Sequence, residues 1–215
     1  MKVYFLSGLG VDWRAFKYIK LPPQYEIIHL PWITPVEDEP IEQYAKRISK
    51  GIDDSDDFSL IGLSFGGILS SEVTEYVKPK HTILISSIAS RNELPLHYKI
   101  AGAFKLNSLF SLKSFNQVNA ANYWVFGITE DRDKQLLDAI LEDTDPIFSK
   151  WAVNQLLNWK RDKPKDKLIR IHGDQDMVLP ITGFKPDYLI KGGGHFMISN
   201  RAEEISKILG AELGR

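Results

Sequence analysis

The sequence predicts an α/β fold: a mostly parallel sheet of about six strands, helices on both faces, and a helical cap insertion. Three observations predict it. Short apolar, β-rich runs alternate with helix-like segments over the first two-fifths of the chain. A strand-free block with helical periodicity follows at about 92–160, and strand-like runs then resume at Leu168.

The elements follow in order. Val3 to Leu6 is a β-rich run ending in Ser7-Gly8-Leu9-Gly10. It imitates the apolar part of a signal peptide, but it ends at Asp12 without a small-x-small cleavage site, so it reads as a buried strand. Asp12 is placed to N-cap a following helix, and Arg14 reads as a surface charge. Tyr25 to Leu30 is a second strand, closed by Pro31. Ile41 to Ile52 has helical spacing at Ile41, Tyr44, Ala45 and Ile48. An acidic loop, residues 53–57, leads to a third strand, Phe58 to Leu63, and a helix from Phe65 to Val77. His81 to Ile88 is the fourth strand. In the block that follows, Leu136, Leu137, Ile140 and Leu141 mark one helix, and Asp145-Pro146 opens another with an N-cap aspartate and a first-turn proline. The charged run 160–167 reads as a solvated connection. Leu168 to Ile171 and Tyr188 to Ile190 complete the strands, and a last helix starts near Asn200, with Asn200-x-x-Glu203 as its capping box.

Composition narrows the function. Apolar residues make up 43% and charged residues 26%, a globular balance, and 215 residues bury a substantial core without a disulfide or structural metal. The chain reads as one domain, 1–215, with the cap inserted at about 92–160. Lys+Arg is 27 and Asp+Glu 28, so the net charge of −1 gives no electrostatic reason to expect nucleic acid or an anionic membrane as partner. Cysteine is absent, which removes thiol catalysis, cysteine-ligated zinc, iron–sulfur clusters and disulfides together. No apolar run reaches the roughly 18 residues of a membrane span. The expectation is a cytoplasmic protein that takes a small-molecule substrate and needs no metal and no cofactor.

Gly62-Leu63-Ser64-Phe65-Gly66 matches G-x-S-x-G. The pattern alone is weak, but here it sits where an apolar strand ends and a helix begins, as a nucleophile elbow requires. A plain strand-to-helix turn with an N-cap serine would not need glycine on both sides.

Serine is a poor nucleophile near neutral pH and needs a positioned base. Of the five histidines, His29 and His172 lie within strand runs and read as core or rim residues, His81 starts a strand, and His97 lies in the insertion. His195 follows a strand in Gly192-Gly193-Gly194-His195-Phe196, where a glycine loop can carry the imidazole across the sheet edge. Its place after the serine and the acid is the expected chain order. For the acid, Asp174 and Asp176 compete after the Leu168 strand, with Glu93 as a third choice. Asp174 lies inside the turn, where a short carboxylate bonds neighbouring backbone N–H groups. Asp176 lies further out, with Pro180 limiting the loop beyond it.

Acyl transfer also needs donors for the developing oxyanion. The backbone N–H of Phe65 is one, and the N–H of Leu9, in the loop after the first strand, is the other. Gly8-x-Gly10 also begins a dinucleotide fingerprint, but Trp13 stands where its third glycine belongs.

With these pieces in chain order, Ser7-Gly8-Leu9-Gly10, Gly62-Leu63-Ser64-Phe65-Gly66, His172-Gly173-Asp174-Gln175-Asp176 and Gly194-His195-Phe196, the sequence resembles the α/β-hydrolase superfamily, specifically its small bacterial esterase-like members. The resemblance spans nearly the whole chain. It implies that the aspartate ending H-G-x-x-D, here Asp176, is the catalytic acid, and that residues about 92–160 are the family's helical cap. Two departures stand out. Ser7-Gly8 replaces the His-Gly common in the oxyanion loop, and the usual first two strands have no counterpart.

The leading expectation is a serine hydrolase of a carboxylic ester or related acyl compound, with Ser64 attacking, His195 moving the proton and Asp176 orienting His195. A ligand-binding protein that has kept the triad, and a lyase or cofactor-free peroxidase, are the alternatives, because the fold hosts several chemistries. Trp13, Trp32, Phe65, Trp124, Trp151 and Phe196 are the aromatics considered for the substrate pocket.

Overall fold

The computed structural model describes residues 1–104, 120–165 and 167–215. Six strands form one sheet: β1 (Lys2–Leu6), β2 (Glu26–His29), β3 (Phe58–Leu63), β4 (His81–Ile85), β5 (Leu168–Gly173) and β6 (Tyr188–Ile190). Their order is β2-β1-β3-β4-β5-β6, and every neighbouring pair is parallel. The described helices are α1 (Ile41–Ile48), α2 (Phe65–Val73), α3 (Leu96–Ala103), α4 (Ala120–Phe126), α5 (Asp131–Glu142), α6 (Pro146–Leu157), α7 (Met197–Asn200) and α8 (Ala202–Leu213).

Strand periodicity explains the layers. Val3, Phe5, Ile61, Leu63, Ile83 and Ile85 belong to one core with Ile205, Leu209 and Leu213 of α8. The alternate residues Tyr4, Leu6 and Leu60 belong to a second core with Ile41, Tyr44 and Ile48 of α1 and Ile68, Leu69 and Val73 of α2. A parallel sheet covered on both faces has nearly continuous apolar strands, as β3 and β4 have. Each such aliphatic side chain, fully buried, contributes about 1.5–3 kcal/mol.

The chain leaves β1 for β2 on one side and then crosses to β3 on the other. The connections therefore diverge between β1 and β3, and the loops at their carboxyl ends flank a crevice. Those are the loops that carry Leu9 and Ser64.

Element ends differ from the sequence expectation in ways packing explains. The fourth strand stops at Ile85, not Ile88, because Ser86 turns into the left-handed region at φ 48°. The α1 helix stops at Ile48 and passes into a 3-10 turn, Ser49–Gly51. The capping box at Asn200 does not form: Asn200 closes α7 and donates its amide to the Gly127 carbonyl at 3.3 Å, and Arg201 stands at the N-cap of α8. The Asp145 cap does form, accepting the Ile147 N–H at 2.8 Å. Asp12 caps a 3-10 turn, Trp13–Phe16, by accepting the Arg14 N–H at 2.9 Å.

Between 92 and 160 the described residues form helices α3 to α6 and no strand; 105–119 of the expected cap lie outside the described residues. The α6 helix packs on both α3 and α2. The run 160–167 is not simply solvated: Arg161 pairs with buried Glu72 of α2 at 2.9 Å, and Trp159 Nε1 donates to the same carboxylate at 2.8 Å.

Candidate active site

Ser64 stands between β3 and α2 at φ 52°, ψ −121°, a conformation that costs a non-glycine residue on the order of 1–3 kcal/mol. The surroundings hold it there. Its N–H donates to the Ile85 carbonyl at 2.9 Å, and its own carbonyl accepts from Ser87 Oγ at 2.7 Å. A Cβ on Gly62 would fall 2.5 Å from the Gly66 oxygen, and one on Gly66 would collide with the carbonyls of Leu6 and Ser7. Glycine at both positions lets the start of α2 sit directly on the ends of β1 and β3.

His195 is carried by the loop after β6. That loop is tied down by Gln175 N–H to the Gly193 carbonyl at 2.9 Å and by Phe196 N–H to the Phe126 carbonyl at 2.9 Å. The imidazole Nε2 lies 2.9 Å from Ser64 Oγ, and Nδ1 lies 2.8 Å from Asp176 Oδ2. A carboxylate only accepts, so the proton belongs on Nδ1 and Nε2 is left as an acceptor facing the hydroxyl. Asp176 Oδ1 is occupied by the N–H groups of Val178 at 2.9 Å and Leu179 at 2.8 Å. Burial by itself would push this carboxyl up, but the charges and hydrogen bonds of His195 and His172 outweigh it and hold the group well below the usual carboxylate range.

Ser64 and His195 open on a cavity of about 410 Å³, walled mainly by apolar side chains including Leu63, Phe126, Val153, Leu156 and Val178. Leu9 and Phe65 line it too, beside the serine. Its size falls within the range of small-molecule sites.

No family model matches the sequence, and no curated protein is significantly similar to it. Solved structures do share its architecture. An esterase from Exiguobacterium antarcticum is 17% identical, with a TM-score of 0.69 over 100% of this chain and 92% of that one. A thermophilic esterase from Thermogutta terrifontis is 13% identical, with a TM-score of 0.71 over 99% and 89%. An alpha/beta hydrolase family protein from Desulfitobacterium hafniense is 16% identical, with a TM-score of 0.62 over 99% and 95%.

The chain has the α/β-hydrolase fold.

On this α/β-hydrolase scaffold the residues singled out in the sequence divide into two sets. Ser64, Asp176 and His195 meet, and Leu9, Phe65 and Phe196 line the cavity they open on. The other aromatics considered for the pocket do not line it. Trp13 and Trp32 border a separate cavity of about 270 Å³ with His29 and Phe148. Trp124 is 69% exposed. Trp151 is buried and spends its indole N–H on the Glu39 carbonyl at 2.7 Å. Helical spacing marks an indole as able to face inward, but not which inside surface it meets.

The two rejected acids have other work. Asp174 accepts the Gly192 N–H at 2.7 Å, so it braces the His195 loop across the chain instead of its own turn. Glu93 accepts the Ala89 N–H at 2.8 Å and pairs with Arg170 at 3.0 Å. Sequence reasoning missed His97 and Tyr98 of α3, which line the cavity, and His172, which contacts Asp176. The spacing of His172 and Asp176 across one tight turn was the available signal for the last. Among the described residues no group of three or more His, Asp or Glu side chains is arranged to hold a metal, and no helix is long and apolar enough to cross a membrane.

Proposed function

We propose that this protein is a serine hydrolase that cleaves a carboxylic ester or related acyl compound, with Ser64 as nucleophile, His195 as general base and acid, and Asp176 as the group that orients His195. The observation that carries the reading is the continuous line from Ser64 Oγ through both ring nitrogens of His195 to Asp176, opening on an apolar cavity. The esterases of like fold support the choice of acyl chemistry.

In the first half-reaction His195 Nε2 takes the hydroxyl proton as Ser64 Oγ bonds to the carbonyl carbon. The C=O electron pair moves to oxygen, where the N–H groups of Leu9 and Phe65 stabilise the charge. The tetrahedral adduct collapses, the C–O bond to the leaving alcohol breaks, and the alkoxide takes the proton from Nε2. Water then repeats the sequence on the acyl-serine and releases the carboxylic acid. Asp176 stays ionised throughout and stabilises the imidazolium. Residues about 92–160 act as the cap: α3, α4 and α6 contribute Tyr98, Phe126 and Leu156 to the wall, shielding the acyl-serine from bulk water.

The test is labelling with a fluorophosphonate beside turnover of a p-nitrophenyl ester series. Wild type should label once, at Ser64, and hydrolyse at least one ester. Ser64→Ala should fold, resist labelling and lose at least about a thousandfold in kcat/KM. Near-wild-type turnover by folded Ser64→Ala would remove Ser64 from the mechanism. A wild type that neither labels nor turns over would point instead to a ligand-binding protein.

A further inference from the structure

We infer that Thr144 and Trp32 are positioning residues that set the oxyanion loop, so that the helical segment contributes to the chemical step as well as to the pocket wall. The inference rests on the hydrolase reading above and on how the loop is held.

Leu9 lies between two glycines, Gly8 and Gly10, and Gly10 sits at φ 72°. Such a stretch has little intrinsic preference for one peptide orientation, since glycine populates both signs of φ. The useful group is the Leu9 N–H. It belongs to the planar trans peptide whose carbonyl is that of Gly8, so it points opposite to that carbonyl. The Gly8 carbonyl accepts from Val11 N–H at 3.2 Å. The direction of the Leu9 N–H is therefore decided by where Gly10 and Val11 are held.

Both are held by distant side chains. Thr144, between α5 and α6, places Oγ1 2.7 Å from the Gly10 carbonyl, closer than its 3.0 Å to the Ile140 carbonyl one helical turn back. Trp32, in the loop after β2, donates Nε1–H to the Val11 carbonyl at 3.0 Å. Its ring stacks on Phe148 of α6, with centroids 4.4 Å apart. Arg14 adds a third tie, joining Asp12 at 2.7 Å to Asp143 at 2.8 Å. The carbonyls of Gly10 and Val11 are thus each bound by a distant side chain, Asp12 is bound locally by Arg14, and all three ties lead on to the stretch 143–148. Neither Thr144 nor Trp32 lines the Ser64 cavity; Trp32 also packs beside Phe65, with centroids 6.1 Å apart, so the test at Trp32 removes the N–H and keeps an aromatic ring.

Thr144→Val keeps shape and removes the hydroxyl; Thr144→Ser keeps the hydroxyl; Trp32→Phe keeps the ring stack and removes the N–H. Each is compared with wild type on a p-nitrophenyl ester, for fluorophosphonate labelling, for its kcat/KM against pH, and for inhibition by an alkylboronic acid, whose tetrahedral serine adduct puts an oxygen in the oxyanion hole. Thr144→Val and Trp32→Phe should each lower kcat about tenfold, the scale of one lost hydrogen bond, with KM within about twofold. Boronate affinity should fall in parallel, because the interaction belongs to the transition state. Thr144→Ser should restore both, and the pH midpoint should not move, because His195 is untouched. If wild type labels and turns over but both Thr144→Val and Trp32→Phe keep wild-type kcat and boronate affinity, the inference falls and the hydrolase reading stands. Equal impairment of Thr144→Ser and Thr144→Val, or a shifted pH midpoint, would also overturn it. A wild type that neither labels nor hydrolyses overturns the hydrolase reading and this inference together. Trp32→Phe decides the matter if Thr144→Val fails to fold.

Discussion

His172 Nε2 lies 3.2 Å from Asp176 Oδ2, the same oxygen that receives Nδ1 of His195 at 2.8 Å. One carboxylate oxygen therefore faces two imidazoles. His172 Nε2 is also 2.8 Å from the Leu179 carbonyl, which can only accept, so Nε2 carries the proton. The loop from Asp176 to Leu179 is consequently fastened at Leu179 through both its N–H, to Asp176, and its carbonyl, to His172.

Removing that donor should weaken catalysis without abolishing it. His172→Phe is expected to lower kcat about tenfold, since hydrogen bonds to charged groups are worth roughly 1.5–3 kcal/mol and part of this is held by other partners. Steady-state kinetics check it; an unchanged kcat in the folded variant would leave His172 as core packing alone.

Asp176→Asn and Asp174→Ala should separate sharply. Oδ1 of residue 176 accepts two backbone N–H groups, so an asparagine keeps its oxygen there and turns its NH₂ toward His195 Nδ1 and the His172 N–H. That forces His195 into the tautomer with the proton on Nε2, which cannot accept from Ser64. Asp176→Asn should lose several orders of magnitude in kcat. Asp174→Ala removes only the bond to Gly192, costing about 1 kcal/mol of stability with kcat within about tenfold of wild type. The reverse pattern in kcat would transfer the acid role to Asp174.

Activity should fall on the acid side as a single protonation. A proton on His195 Nε2 removes the acceptor for the serine hydroxyl, whereas Asp176 stays ionised, its carboxyl being held below the usual range. The depressed value also has a stability consequence. The folded state binds this proton more weakly than the unfolded chain, so the contribution of Asp176 is fully present above the ordinary value of about 3.9 and is lost as pH falls toward the folded value. Parallel kcat/KM and urea-unfolding profiles test it, and a two-proton acid limb would contradict the assignment.

Stability should carry a separate histidine component from His29. Burial against Phe5 and Phe16 pushes its imidazole down, with Asp12 offsetting part of the shift. The unfolded chain then binds the proton better, so stability is retained above about 6.5 and declines as pH falls from there toward the folded value. His29→Phe should flatten the unfolding free energy between pH 7 and 5. An equally steep profile in the variant would assign the component elsewhere, with His81, also pushed down by burial, the next to replace.

The local features of this protein were determined by the sequence itself. Six strand runs, the glycine-flanked Ser64 at a strand-to-helix junction and the chain order of Ser64, Asp176 and His195 are set by neighbours within a few residues or by order alone, because backbone sterics and side-chain periodicity act at short range. Tertiary structure decided what each side chain meets. Trp13, Trp32, Trp124 and Trp151 have the same side-chain chemistry, yet they border a second cavity, brace a loop, face solvent or fill the core. Arg14 and Arg161 read as surface charge until Asp143 and Glu72 are brought beside them. Asn200 loses its expected cap because it closes α7, which leaves Arg201 at the N-cap of α8, while its side-chain amide reaches the Gly127 carbonyl 73 residues away. Hydrogen bonding and burial depend on partners distant in the chain, and only the assembled sheet, with its connections diverging between β1 and β3, brings those partners within reach.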